Sequence, residues 1–483
     1  MLLVLRRPGP ASEAGERAGA PDTPEVDEPM GHRHPRPRMR PLWLLLLDRF
    51  RLAVAVAFCC AAGLALAVPG SLGVGPVARV GAGPGLPAAD PCAPTWVTGW
   101  QAAPQAAEPP AGLAGATLRM IVHPQLAGSQ VRVRLSNAYG QTPLKVGAVT
   151  VGRSGGGAEL VADSVRPATF DEEVAVTVPA GEDVLSDPIA MDTAAGGPLA
   201  VSLFLAEVPA TLTQHSVALQ NSYLSGPADA SRAGADAFPG TVGSWSVLTG
   251  LDVFADAPTN ALVAVGDSIT DGVGSGVGVD QRWTDALARR LTDPAAAPTA
   301  SMVVLNAGIA RNRLLGDDPV RDGDSPLTRF DRDVAGAAGA SDVVLHIGTN
   351  DIAVGHTAAE IVEGLSGYVV HARAAGKRVF LTTITPSEAG AHGTRGAISA
   401  RAAVNAWVRD QGPTVADGVF DFAAAVADPA DPDRLAPRFD SGDGLHLSAA
   451  GYQALAAAVD PARLTGSPCR ADPAITRTAV AGN

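Results

Sequence analysis

Five short apolar runs alternate with segments of helical periodicity between residues 260 and 459. The runs are NALVAVGDS (Asn260–Ser268), SMVVLNAG (Ser301–Gly308), SDVVLHIGTND (Ser341–Asp351), KRVFLTTITP (Lys377–Pro386) and GVFDFAAAV (Gly418–Val426). Between and after them stand QRWTDALARRLTD, AAEIVEGLSGYVVHARAAG, ISARAAVNAWVRDQG and SAAGYQALAAAV, with apolar residues at helical spacing, such as Trp283, Ala286, Leu287 and Leu291. Strands that read as unbroken apolar runs are buried on both faces. Such strands belong to a parallel sheet with helices on each side. That pattern predicts an α/β domain over residues 258–465, followed by a tail at 466–483.

Residues 95–257 follow another period. LRMIVHP, QVRVRLSNAYG, KVGAVTVG, VAVTVPAG and LAVSLFLAEV alternate apolar and polar residues, with turn residues between them. Short strands at this spacing predict an all-β sandwich or jelly-roll-like domain. Residues 69–94 are Gly, Pro and Ala with little else and read as a linker.

Ahead of the linker, residues 1–39 show no apolar period and read as a disordered tail. Residues 40–68 hold Arg40, Arg49 and Arg51, the uncharged run Leu52–Val68, and Ala65-Leu66-Ala67 as an A-x-A site. A basic flank, an apolar run and small residues predict a secretory signal, with an uncleaved membrane anchor as the alternative. Either places the bulk of the chain outside the cytoplasm, in a secreted or anchored form. Two cysteines, Cys92 and Cys469, remain beyond that segment. An oxidising compartment lets them pair, and two free thiols are the alternative.

Charge excludes one class of partner. Residues 1–68 carry 9 basic and 7 acidic residues, which leaves 27 basic against 42 acidic in the remainder. No basic stripe interrupts this, so nucleic acid is excluded as a partner. A membrane enters only through the N-terminal apolar segment. No metal-ligand spacing such as C-x-x-C or H-E-x-x-H is present, and no metal or cofactor is expected.

Ligands of open parallel sheets bind beyond the carboxyl ends of the strands. The residues there are Gly266-Asp267-Ser268, Asn306-Ala307-Gly308 and Gly348-Thr349-Asn350-Asp351, with Asp443 and His446 before the last helix. Together they supply the parts of an acyl-transfer site. Ser268 needs a general base, which His446 can be, and Asp443 stands three residues earlier to orient the imidazole. The Ser268 and Gly308 N–H groups and the Asn350 amide are the candidate oxyanion donors. Each has an ordinary structural alternative: Ser268 a helix cap, Asn350 a turn residue, Asp443 and His446 surface groups. Asp267 and Asp271 read as structural, His346 as a core histidine, and His123 and His215 as structural or rim residues of the β domain. Asn312 and Arg313 are candidates for the pocket mouth, with loop packing as the alternative.

In order, GDSITDG, NAGIARNRLL, GTNDI and DGLHLSAAGY resemble the four blocks of the GDSL, or SGNH, hydrolase superfamily. The resemblance covers roughly residues 258–460 and implies a flavodoxin-like α/β/α domain with Ser268, Gly308, Asn350, Asp443 and His446 in catalysis. Thr270 stands where the second glycine of G-x-S-x-G falls, which separates the chain from the α/β-hydrolases. WVTGWQAAP, RVRLSNAYG, RWTDALARRL and LTRFDRDV are similar to a secreted bacterial subgroup likened to xylanase-associated arylesterases and acylhydrolases. LHLSAAGY lacks the proline common after the histidine. The resemblance implies an esterase acting on O-acetyl or short acyl groups of carbohydrates, or on small aryl and alkyl esters. A lipase or lysophospholipase, a sugar O-acyltransferase, and a carbohydrate-binding module with a degenerate SGNH domain are the alternatives.

Overall fold

The structure, a computed structural model, describes residues 93–255, 259–292 and 302–466. The expected Cys92–Cys469 bridge and the apolar segment Leu52–Val68 lie outside them. Among the described residues no helix is long and apolar enough to cross a membrane.

The α/β region is built on five strands: β1 (Asn260–Gly266), β2 (Met302–Gly308), β3 (Ala340–His346), β4 (Arg378–Thr382) and β5 (Gly418–Phe420). All pairs are parallel, in the order β2-β1-β3-β4-β5. This is the flavodoxin-like order 2-1-3-4-5, whose switch point lies between β1 and β3. Its helices include α1 (Ser268–Asp271), α2 (Trp283–Thr292), α3 (Thr349–Ala353), α4 (Ala358–Ala374), α5 (Arg395–Asp410), α6 (Phe422–Val426) and α7 (Ala449–Ala458).

Alternate strand residues feed two cores. Val263, Leu305, Val343 and Leu381 pack on one face with Ile361 and Leu365 of α4 and Val404 of α5. Leu262, Val304, Val344 and Phe380 pack on the other with Trp283 and Leu287 of α2, Phe422 of α6 and Leu455 of α7. Both faces are covered, as unbroken apolar strands require. At α4 a capping box fixes the start: Thr357 Oγ1 accepts from the Glu360 N–H, and the Glu360 carboxylate accepts from the Thr357 N–H.

The region before it consists of antiparallel sheets. One sheet runs Thr95–Gln101, Leu248–Ala255, Gly128–Ser136, Ile189–Thr193. A second runs Gly240–Val242, Ser222–Leu224, Ala116–Val122, Leu199–Glu207, Leu144–Gly156. Val131, Val133 and Val253 of the first share one core with Leu118, Met120, Val151 and Leu203 of the second. Along Gly128–Ser136 the alternation is direct, with Val131, Val133 and Leu135 fully buried and the intervening arginines turned outward.

The two regions are joined by polar contacts as well as packing. The Thr98 N–H donates to Ala338 O at 3.0 Å, and Gln101 Nε2 donates to Asp333 O at 2.9 Å. Tyr139 Oη donates to Asp324 Oδ2 at 2.6 Å. Val97, from the first antiparallel strand, is part of the core on the α4 and α5 face.

Candidate active site

The end of β1 and the start of α1 are set by three neighbouring residues. Asp267 caps α1, its Oδ1 accepting from the Ile269 N–H at 3.0 Å. Gly272 ends the helix at φ +103°, a left-handed conformation that suits glycine. Ser268 is thereby held at the first helical position, 5 % exposed. First-turn N–H groups have no partner within their helix, so the Ser268 N–H remains available.

His446 reaches Ser268 from a tight turn before α7. Its Nε2 lies 2.9 Å from Ser268 Oγ, and its Nδ1 lies 2.6 Å from Asp443 Oδ2. Asp443 Oδ1 accepts from the Leu445 N–H at 2.9 Å and the His446 N–H at 2.8 Å. The same carboxylate therefore shapes the turn and holds the ring. Partial desolvation works against its ionisation, but these donations outweigh it and keep the carboxyl at about 2. A hydrogen bond to ionised Asp443 puts the Nδ1 proton on that side and leaves the Nε2 lone pair facing Ser268 Oγ.

Gly308 differs from expectation. Its N–H donates to Asn306 Oδ1 at 2.8 Å, so it is not free to meet an oxyanion. The glycine is required for another reason: a Cβ there would collide with the Asp271 backbone of α1. Beyond it, Ile309–Asn312 forms a turn closed by the Asn312 N–H donating to Ile309 O at 3.0 Å. Within this turn Arg311 sits at φ +68°, a conformation costly for a residue with a Cβ. The described residues leave the Arg311 N–H unengaged. Asn350, at the start of α3, donates one Nδ2 hydrogen to Asn312 O at 3.0 Å, which leaves the other for a ligand. Its Oδ1 faces His392 Nε2 at 3.4 Å.

Asn312 and Arg313, the candidates for the pocket mouth, are both engaged with the loop after β2. The Asn312 side chain is fully buried, Nδ2 donating to Asp322 O at 2.7 Å and Asp324 O at 2.8 Å. Its Oδ1 accepts from Arg329 at 3.0 Å, and full burial keeps the side chain away from any ligand. Arg313 pairs with Asp322 at 3.2 Å. Both residues serve the loop.

Two residues have supporting roles that the sequence reading did not assign. Asp351 takes the N–H groups of Leu314 and Leu315, each at 2.9 Å, and so ties the GTND segment to the loop after β2. Arg329 is 1 % exposed and donates to Ala307 O at 2.7 Å, the residue before Gly308, and to Gly266 O at 3.3 Å, the last residue of β1 and two before Ser268. Asp333 balances its charge at 2.6 Å. A signal was present: in LTRFDRDV, Arg329 and Asp333 recur at the spacing of Phe330 and Val334, which places an ion pair on the buried side.

Residues 264–454 match the family model described as GDSL-like Lipase/Acylhydrolase. No curated protein matches the chain. Among solved structures, the chain is similar to a carbohydrate acetylesterase from Sinorhizobium meliloti, at 21 % identity over 41 % of this chain and 94 % of the other, with a TM-score of 0.32. It is similar to an aryl esterase of M. smegmatis at 21 % identity over 41 % of this chain and 95 % of that one, TM-score 0.33. A GDSL-like lipase from Bacteroides thetaiotaomicron shares 18 % identity over 42 % of this chain and 87 % of its own, TM-score 0.32. The parallel sheet and the family match agree on one assignment: the α/β region is a member of the GDSL/SGNH superfamily of carboxylic ester hydrolases.

Proposed function

We propose that the chain is an exported serine esterase that removes O-acetyl or other short acyl groups, from carbohydrates or from small aryl and alkyl esters. The observation that carries the reading is the run of contacts Ser268 Oγ–His446 Nε2–Nδ1–Asp443, at 2.9 Å and 2.6 Å. The likeness to the arylesterase and acylhydrolase subgroup supports the short acyl group. The arginine-flanked run Leu52–Val68 supports export.

In this reading Ser268 Oγ attacks the ester carbonyl carbon while its proton passes to His446 Nε2. Asp443 holds the imidazolium that forms. The oxyanion takes hydrogen bonds from the Ser268 N–H, the free hydrogen of Asn350 Nδ2 and the Arg311 N–H, which replaces Gly308. His446 then protonates the leaving alkoxide oxygen, the alcohol departs, and acyl-Ser268 remains. Water attacks that ester by the same route, giving its proton to His446, and Ser268 is restored. Deleting one oxyanion donor costs about 10²–10³ in kcat, which Asn350→Ala tests.

The experiment is hydrolysis of p-nitrophenyl acetate and longer acyl esters by the wild type and Ser268→Ala. Activity is expected to be highest on acetate and abolished in the variant. Undiminished turnover by Ser268→Ala sinks the nucleophile assignment. Turnover that rises with acyl length moves the reading to a lipase.

A further inference from the structure

His215 comes from the antiparallel region, in the strand Leu212–His215, and is 5 % exposed. Its Nδ1 lies 2.8 Å from Ala103 O. Its Nε2 lies 3.1 Å from Val217 O and 3.1 Å from Asp271 Oδ1. Every one of these neighbours is an acceptor, so both ring nitrogens must carry hydrogen for the contacts to hold. Burial opposes the charge, but Asp271 outweighs it and raises the imidazole above its usual range.

Asp271 is the last residue of α1, one turn after Ser268. Its Oδ2 accepts from the Ala310 N–H at 2.8 Å, within the turn that carries Arg311. One buried carboxylate thus touches the nucleophile helix, the oxyanion turn and a histidine of the other region. Arg282 adds a second tie across the same junction, donating to Asp271 O at 3.0 Å and to Ala218 O.

We propose that His215 is a positioning residue for the esterase reaction, holding Asp271 so that α1 and the Ile309–Asn312 turn keep the register in which Ser268 meets the ester and the oxyanion meets its donors. The antiparallel region is then part of the catalytic apparatus, because it supplies the cation that makes a buried Asp271 carboxylate tolerable. This rests on Ser268 as the nucleophile.

The test uses the full chain and p-nitrophenyl acetate, with kcat and KM measured separately. His215→Phe keeps a ring beside Trp245, whose centroid is 5.6 Å away, and removes both donors. His215→Gln keeps an N–H for Asp271 and removes the ring. A misplaced reacting group costs about 10²-fold, so the Phe variant should lose about that much kcat with KM within about twofold. The Gln variant should recover at least about tenfold of the loss. The same ordering is expected for the rate at which a fluorophosphonate labels Ser268. A folded Phe variant with wild-type kcat, or a Gln variant as slow as Phe, overturns the proposal. Should the Phe variant not fold, Asp271→Asn, of equal size, takes its place: lost kcat with retained KM supports the role, and unchanged kcat overturns it. Ser268→Ala runs beside them. If it stays active, the nucleophile reading has failed; if it is dead and His215→Phe is not impaired, only the positioning role has failed.

Discussion

Arg119 of the antiparallel region and Arg329 of the α/β region are both at most 1 % exposed, yet they are held in different ways. Arg119 donates to Ser202 Oγ at 2.9 Å, to Ala233 O at 2.9 Å and to Ala158 O, and stacks 4.1 Å from the Phe238 ring centroid. Its hydrogen bonds go to carbonyls and a hydroxyl. Burial lowers its pKa to about 10, with Glu159 acting in the opposite direction. Arg329 is paired with Asp333, and its other donations go to Ala307 O, Gly266 O and Asn312. The first arginine fastens a covering loop to a sheet. The second fixes the two strand ends that lead into Ser268 and into the Ile309–Asn312 turn.

The largest expected effect breaks this comparison if it fails. Arg329→Met leaves Asp333 buried with only Arg332, 3.1 Å away, as a cation. Stability should fall by about 3 kcal/mol, the low end for a broken buried pair. The protein that remains folded should lose about 10²-fold in kcat, because two strand-end carbonyls lose their anchor. Arg119→Met should cost about 1–3 kcal/mol through orphaned carbonyls, with kcat unchanged for the folded fraction. Thermal unfolding and active-site titration separate the two quantities. Equal losses of kcat in both variants would mean that the regions do not divide stability from site geometry in this way.

The same division explains what was legible in the sequence. Ser268, Asn350, Asp443 and His446 lie just beyond strands or before a helix. There a polar residue interrupts a strong apolar period, and the interruption is visible one block at a time. The parallel sheet follows from the same period, whereas its flavodoxin-like order was legible only as what the resemblance of the four blocks implies. The inner supports are not visible in that way. Arg329 reaches Gly266 across 63 residues, and His215 reaches Asp271 across 56. A contact between two chain segments leaves no local period in either. Gly308 shows the limit from the other direction. Its position was readable, but the Asn306 side chain that takes its N–H stands two residues away, and only the folded backbone decides which way that amide turns. His215 read as a structural or rim residue of its own region because its partner Asp271 belongs to the other.

Two buried aspartates sharpen the comparison with a smaller effect of opposite sign. Asp252 of the antiparallel region is 2 % exposed and accepts from Thr98 Oγ1 at 2.8 Å, with Arg132 at 3.2 Å and Arg134 at 3.8 Å. Asp267, beside Ser268, is 1 % exposed and receives the Ile269 N–H on Oδ1, while Oδ2 has no partner among the described residues. Burial pushes Asp267 up to about 7; the Ile269 N–H works against this, and Asp351 and Asp271 add to it. In the unfolded chain an aspartate titrates near 4. Folding therefore favours the protonated form, and that contribution is complete below about pH 4 and lost as pH rises through about 7. Asp267→Asn removes the titration while keeping the shape and the Oδ1 acceptor. Its melting temperature relative to wild type should rise between pH 5 and pH 8, by the equivalent of a few kcal/mol at most. Asp252→Asn should lower stability at both pH values, by about 1–3 kcal/mol, because two guanidinium groups lose their counter-charge. An Asp267→Asn offset that does not change with pH would show that the carboxyl is already ionised in the folded protein.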